Sequence, residues 1–186
     1  DGVSRAYEYY DNKESFYETG TTFSNTVSFS TAGDNGNTRF SLTNLDNDDI
    51  SPNSTLDRNS IGINTSQNVG KNIRIDANLK YLLEDQSGNP RLSDGPGNAN
   101  WIINHTSPSV DVNWGKGPNG DGRNDDLSEF QMTPSIYIQN PWFAQNYYVN
   151  DSEKERFIGS INMRWDLTDW LYARARVGAR YPISNN

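Results

Sequence analysis

The segment from Arg156 to Tyr181 limits most strongly what this chain can fold into. Apolar residues occupy nearly every second position on both sides of a short polar break at Asp166–Asp169. Successive side chains of a β-strand point to opposite faces, so the pattern predicts one long β-hairpin with an apolar face and a polar face. The apolar face of this hairpin holds Ile161, Met163, Leu171, Ala173, Ala175 and Val177, and the opposite face holds Arg164, Arg174, Arg176 and Arg180.

Two earlier segments repeat this design. The first turns at Gly33–Gly36, where the Asn35-Gly36 pair is typical of a tight hairpin. The second turns at Asn68–Lys71 and continues with Ile73, Ile75 and Leu79 on one face and Arg74, Asp76 and Lys80 on the other. The chain is therefore predicted to be all-β and antiparallel, with about six strands in three hairpins. Only the lead-in, residues 6–19, has a pattern that favours a helix.

The connections divide the chain into four parts. Residues 1–20 form a lead-in segment, 21–85 form two hairpins, 86–150 form one long loop, and 151–186 form the last hairpin and the start of a further loop. Turns within hairpins are short, whereas connections between hairpins are long. This asymmetry is typical of outer-membrane β-barrels, which have short periplasmic turns and long extracellular loops.

Strand length and aromatic placement favour a transmembrane barrel. A strand from Leu171 to Tyr181 spans about 34 Å and, tilted by about 40°, climbs about 26 Å, close to the apolar band of about 25 Å on such barrels. Interfacial aromatic girdles are predicted at Trp165 and Trp170 near the short turn, and at Tyr81 and Tyr181 near the loops. The alternative is a soluble antiparallel sheet with one wet face.

Composition excludes several classes of function. The chain carries 24 acidic and 16 basic residues, so nucleic acid is not an expected partner. No apolar run approaches the length of about 18 residues that a transmembrane helix needs. With 33% hydrophobic residues, the chain is too polar to build the large hydrophobic core of a soluble domain, yet its 12% aromatic residues argue against disorder.

Several motifs in serial order resemble the SusC/RagA family of TonB-dependent outer-membrane transporters. They begin with "TGTTFSNTVS" and "LDRNSIGIN", continue through "VGKNIRIDANLKYLLEDQSGNPR", and close with "NPWF", "RFIGSINMRW" and "TDWL". Each motif alone is weakly specific. Their order and spacing over most of the chain carry the resemblance.

The resemblance implies a segment of a barrel of roughly 22 strands. It also implies location in the bacterial outer membrane and uptake of glycan or peptide nutrients, without enzymatic activity. The expected partners are a SusD-like surface lipoprotein, the outer-membrane lipid, the oligosaccharide or peptide cargo, and TonB acting through a part that this chain lacks. The alternative function is a soluble, secreted all-β carbohydrate-binding module.

Candidate chemical sites are few. Acidic side chains among glycines in the long loop give a weak calcium candidate, Asp121, Asp125, Asp126 and Glu129, but their spacing does not fit an EF-hand. A solvated acidic loop is the simpler interpretation. His105 has neither a second histidine nor a nucleophile motif beside it, and no spacing singles out a carboxylate pair for glycoside hydrolysis. No catalytic residue and no cofactor are predicted.

Two sets of side chains remain as candidates for contacts. The charged residues opposite the apolar face are expected to face a wet lumen, since a lipid-facing arginine at the membrane centre costs about 2–4 kcal/mol. Their expected role is ion pairing with acidic neighbours in a plug or in the barrel wall, such as Asp76, and direct contact with cargo is secondary. These residues are Arg164, Arg174, Arg176, Arg180, Arg74, Asp76 and Lys80. The loop aromatics Trp101, Trp114, Trp142 and Tyr147 are candidates for contact with cargo or partner, although packing of the loop on itself explains them more simply.

Overall fold

The computed structural model describes residues 7–134, 137–148 and 150–185. The chain divides into two compact units. The first, here called the loop unit, takes its described residues from Asp1–Thr21, Asn47–Thr55 and Gln86–Asp151. The second, here called the sheet unit, takes them from Thr22–Asp46, Leu56–Asp85 and Ser152–Asn186.

The strands form a single six-stranded sheet in chain order. They are β1 (Thr21–Gly33), β2 (Gly36–Asp48), β3 (Thr55–Val69), β4 (Ile73–Ser87), β5 (Ser152–Asp166) and β6 (Tyr172–Asn185). Each pairs with its neighbours in sequence, so the sheet is antiparallel and up-and-down. The prediction of an all-β chain with three hairpins is confirmed. The sheet is not closed, and β1 and β6 are its two edges.

Turn chemistry fixes where the strands end. Gly36, at the β1–β2 turn, has φ +151, and a Cβ there would lie 2.1 Å from the carbonyl oxygen of Ser66, so only glycine fits. The β5–β6 connection is longer than the predicted turn at Asp166–Asp169. The Leu171 carbonyl accepts hydrogen bonds from Leu167 and Thr168, so Leu171 belongs to the turn and β6 begins one residue later than predicted.

The sheet's side chains sort onto two faces. In the β5–β6 pair, Ile161 lies opposite Val177 and Met163 opposite Ala175, while Asn162 lies opposite Arg176. Hydrogen bonds extend the sorting to the other strands through the pairs Thr26–Thr43, Asn44–Asn59, Ser66–Asp76 and Asp76–Asn162. The same two faces therefore continue from β1 to β6.

Three short α-helices and one 3₁₀ helix belong to the loop unit. They are α1 (Asn12–Phe16), α2 (Ala99–His105), the 3₁₀ helix Val112–Lys116 and α3 (Pro141–Tyr147). The expectation of a helix in the lead-in is met by α1, but the expectation of no helix elsewhere is wrong. The side chain of each N-cap residue accepts a hydrogen bond from a backbone amide of its own helix; these N-cap residues are Asp11, Asn98, Asp111 and Asn140.

The loop unit has a small core of its own. Phe16 packs on Trp142 with ring centroids 4.9 Å apart, and the Trp142 indole donates a hydrogen bond of 2.9 Å to the Val112 carbonyl. The buried Asn12 side chain donates to the carbonyls of Ser107 and Val110 and accepts from the Val112 amide. The buried cluster contains Phe16, Ala99, Ile102, Ile103, Val112, Trp142 and Ala144.

None of the helices described in residues 7–134, 137–148 and 150–185 is both long and apolar enough to cross a membrane.

Candidate functional site: the two faces of the sheet

One face of the sheet, here called the apolar face, leaves many large apolar side chains exposed. Ile161 keeps 52% of its surface exposed and Val177 keeps 72%. The predicted lipid-facing residues of the strands all lie on this face: Ile73, Ile75, Leu79, Ile161, Met163, Ala173, Ala175 and Val177. Soluble monomers rarely expose contiguous apolar patches larger than a few hundred Å², so a face spanning several strands requires an explanation.

Polar groups limit this apolar band at the end of the strands that leads into the loops. Six acidic side chains of the strands project on the apolar face there: Asp46, Asp48, Asp57, Asp85, Glu153 and Glu155. The Tyr81 side chain lies close to Glu155, and Tyr181 lies opposite Phe157. Aromatic rings and carboxylates therefore mark this boundary of the band.

The boundary at the short-turn end is aromatic. Trp165 lies on the apolar face, opposite Ala173. Trp170 lies in the β5–β6 turn and is 82% exposed. Indole rings pair an apolar body with one N–H donor, which suits them to a boundary between hydrocarbon and water.

The opposite face, here called the cationic face, carries every lysine and arginine of the six strands. These residues are Arg39, Arg58, Arg74, Lys80, Lys154, Arg156, Arg164, Arg174, Arg176 and Arg180. Only three acidic residues of the strands share the face: Asp76, Glu84 and Asp166. The strands thus separate charge by face, although the chain as a whole has a net charge of -8.

A hydrogen-bonded network lies at the centre of the cationic face. Asp76 accepts from Ser66 at 2.7 Å, Arg74 Nε at 3.1 Å and Asn162 at 3.2 Å. Arg174 Nε donates to Asn162 Oδ1 at 2.7 Å. The predicted lumen residues Arg74, Asp76 and Arg174 are therefore brought together across β4, β5 and β6. A groove of about 420 Å³ runs along this network and is also lined by Arg176.

A second charged cluster, closer to the loops, was not predicted. Glu84 forms ion pairs with Arg58 at 2.7 Å and Lys154 at 3.6 Å, and Arg156 lies close by. The Nε of Arg156 is buried and has no hydrogen-bond partner among the described residues. The signal available in the sequence was a charge at the same alternating phase in three strands, which becomes meaningful only when the register is known.

The structure places the loop aromatics in different environments, some buried and one largely exposed. Trp142 is buried in the core, with 8% of its surface exposed, and the ammonium of Lys116 lies 4.5 Å from its ring centre. Trp101 stacks on His105 with centroids 4.1 Å apart and packs against the core. Trp114 is 55% exposed and meets Phe130 edge to face. Packing thus accounts for Trp142, while Trp114 keeps a surface that a ligand could reach.

The calcium candidate is not assembled into a ligand set. Asp121 accepts hydrogen bonds from Arg123 and from the Tyr147 hydroxyl, Asp126 accepts from Ser128, and Glu129 accepts from the Asn140 amide. No group of three or more His, Cys, Asp or Glu side chains in the described part of the chain is placed to hold a metal ion. These carboxylates stabilise the loop instead.

Asp121 is the most strongly perturbed acid of this loop. Hydrogen bonds from Arg123 and from Tyr147 lower the pKa of its carboxyl from 3.8 to about 2. The Arg123 guanidinium also lies 4.4 Å from the centre of the Tyr147 ring. The three side chains therefore join the acidic loop to α3.

Comparison with known proteins gives no match: neither the known protein-family models nor the curated protein sequences contain one for this chain.

Proposed function

We propose that this chain forms part of the wall of a β-barrel in the bacterial outer membrane. The observation that carries the proposal is the exposed apolar face set against a cationic face. Ile73 and Leu83, on the same face of β4, are ten residues apart, which corresponds to about 34 Å of strand and about 26 Å of height in a tilted barrel. In such a wall, lipid hydrocarbon contacts the apolar face and water contacts the cationic face, so both faces are solvated appropriately.

The two unpaired edges support the same proposal. An exposed long edge strand invites aggregation, and closure into a barrel removes such edges. In the proposed protein, β1 and β6 pair with further strands of a barrel of roughly 22 strands. The resemblance to SusC/RagA proteins supplies the remainder: a TonB-dependent importer that takes up glycan or peptide nutrients together with a SusD-like surface lipoprotein.

The loop unit fits the outer side of such a barrel. Residues 88–151 connect β4 to β5, and the 49–54 connection leaves the sheet at the same end in an up-and-down topology. Long loops of outer-membrane barrels are extracellular. We expect the lipoprotein to contact this unit, so crosslinking from an exposed position such as Trp114 should capture it in the intact complex. Crosslinks that never reach the loop unit would contradict this contact.

Fractionation of bacteria that produce the protein tests the membrane proposal. The protein should sediment with the outer membrane and require detergent for solubility, because the apolar face otherwise contacts water. A soluble monomer that melts sharply in water without detergent would contradict the proposal. That result would favour the soluble carbohydrate-binding module instead.

A further inference from the structure

We infer that the cationic face binds an anionic oligosaccharide, and that the Arg174–Arg176 groove is its contact site. This inference rests on the proposed function, in which the cationic face borders the aqueous interior of an importer. It adds a substrate class: saccharides whose rings carry carboxylate groups.

The cationic face carries a large excess of positive charge. The strands place ten cationic side chains and three acidic ones on this face, in a chain whose net charge is -8. A face lined by one sign of charge concentrates ligands of the opposite sign near it. Ion pairing within this face does not account for the excess of cations, since most acidic residues of the strands lie on the apolar face.

Several cationic side chains of this face keep donors that no acid of the face uses. The guanidinium of Arg176 forms no hydrogen bond or ion pair with any described residue, and the guanidinium of Arg174 commits its Nε to Asn162. Around Glu84, one carboxylate faces Arg58, Lys154 and the nearby Arg156. Guanidinium groups match carboxylates in a planar, two-pronged geometry, so these donors suit an anion supplied from outside.

The lining of the groove is rich in polar groups. It consists mainly of amide, hydroxyl and charged groups, among them Asn64, Asn78 and Asn162. Amides both donate and accept, as sugar hydroxyls do, whereas the side-chain carboxylates of an acidic peptide only accept. The volume of about 420 Å³ is within the range of small-molecule sites, about 300–1,000 Å³. The groove therefore suits a hydroxyl-rich anion, and an acidic peptide is the competing ligand in the titration below.

Calorimetric titration of the detergent-solubilised protein tests the inference. The probes are tetragalacturonate, neutral maltotetraose and a tetraglutamate peptide, each at about 0.05 M and about 0.3 M salt. Tetragalacturonate should bind most tightly, and its binding should weaken at the higher salt concentration. Equal binding of maltotetraose would overturn the inference, and tighter binding of tetraglutamate would replace the saccharide with an acidic peptide.

Variants locate the site. The double substitution Arg174→Gln/Arg176→Gln should weaken tetragalacturonate binding by about tenfold or more, because charge-assisted hydrogen bonds are lost. Lys13→Gln/Lys71→Gln changes the net charge equally at exposed positions that do not line the groove and should leave binding unchanged. Arg174→Lys/Arg176→Lys keeps the charge and should retain part of the affinity even if the glutamine variant folds poorly. Equal weakening by the two glutamine variants would overturn the assignment of the groove.

The outcome is separable from that of the proposed function. If the apolar face meets lipid and tetragalacturonate does not bind, only the inference about substrate class fails.

Discussion

At the scale of the residue, the loop unit is held by a few buried or fully hydrogen-bonded polar side chains. Asn140 caps α3 through the Trp142 amide, and its own amide donates to the carbonyls of Gly115 and Phe130. Asp121 joins Arg123 to Tyr147. Such contacts are expected to matter more here than in a large domain because the apolar core is small.

Asp121→Asn should loosen the acidic loop at neutral pH. The carboxylate's pKa is lowered to about 2, so its contribution is present in full above the unfolded value of 3.8 and is lost as pH falls through about 2. Hydrogen exchange of the Arg123 amide, which donates to Asp121 at 3.1 Å, should be faster in the variant at pH 7. The exposed neighbour Asp125 provides a matched control, Asp125→Asn, which should leave this exchange rate unchanged.

Trp142→Ala should destabilise the loop unit by about 3–5 kcal/mol, the usual cost of truncating a large buried side chain. The substitution removes the contact with Phe16 and the hydrogen bond to the Val112 carbonyl. Denaturant unfolding followed by tryptophan fluorescence measures the change. Trp114→Ala at an exposed position is the comparison, and an equal loss from both variants would contradict the assignment of Trp142 to the core.

At the scale of the element, the alternation of apolar and polar residues was enough to predict the hairpins but not the exact end of the β5–β6 turn. The phase of apolar and charged residues in Ile73–Leu83 and in Phe157–Trp165 placed these side chains on the faces that the structure gives them. The alternation pattern includes Leu171 in the strand, because it predicts that the β5–β6 turn ends at Asp169. The hydrogen bonds that hold Leu171 in the turn come from backbone geometry that no alternation pattern contains.

The start of α3 could have been found from local signals, although the extent of the loop helices could not. In "NPWF", Asn140 is an N-cap and Pro141 stands at the first helical position, a combination typical of a helix start. With seven residues each, α2 and α3 are too short to show a clear apolar period, so tertiary packing decides them. The cluster around Glu84 was missed because pairing between strands sets its contacts.

Ala175→Arg tests which face of β6 meets lipid. An arginine at this position should reduce the free energy of unfolding in lipid vesicles by about 2–4 kcal/mol if Ala175 lies near the membrane centre. Gly178→Arg adds the same side chain to the cationic face of the same strand, where a Cβ has only ordinary contacts, at 3.6 Å or more. Similar losses from both variants would argue against a lipid-facing Ala175.

At the scale of the whole molecule, two kinds of stabilisation coexist in one chain. The loop unit buries a small aromatic and aliphatic core of its own, whereas the sheet unit leaves a broad apolar face exposed and places its cations on the opposite side. An isolated sheet with one apolar and one cationic face lacks the covering layer that soluble domains use. A lipid bilayer supplies that layer in the proposed barrel.

The most direct test of this account measures the sidedness of β6. The chain has no cysteine, so single nitroxide labels can be introduced at Ala175→Cys and Arg176→Cys in protein reconstituted into phosphatidylcholine vesicles. The label at 175 should be relaxed by oxygen, which concentrates in lipid, and protected from a water-soluble nickel chelate, whereas the label at 176 should show the reverse. Equal access of the nickel chelate to both labels would contradict the assignment of the apolar face to lipid.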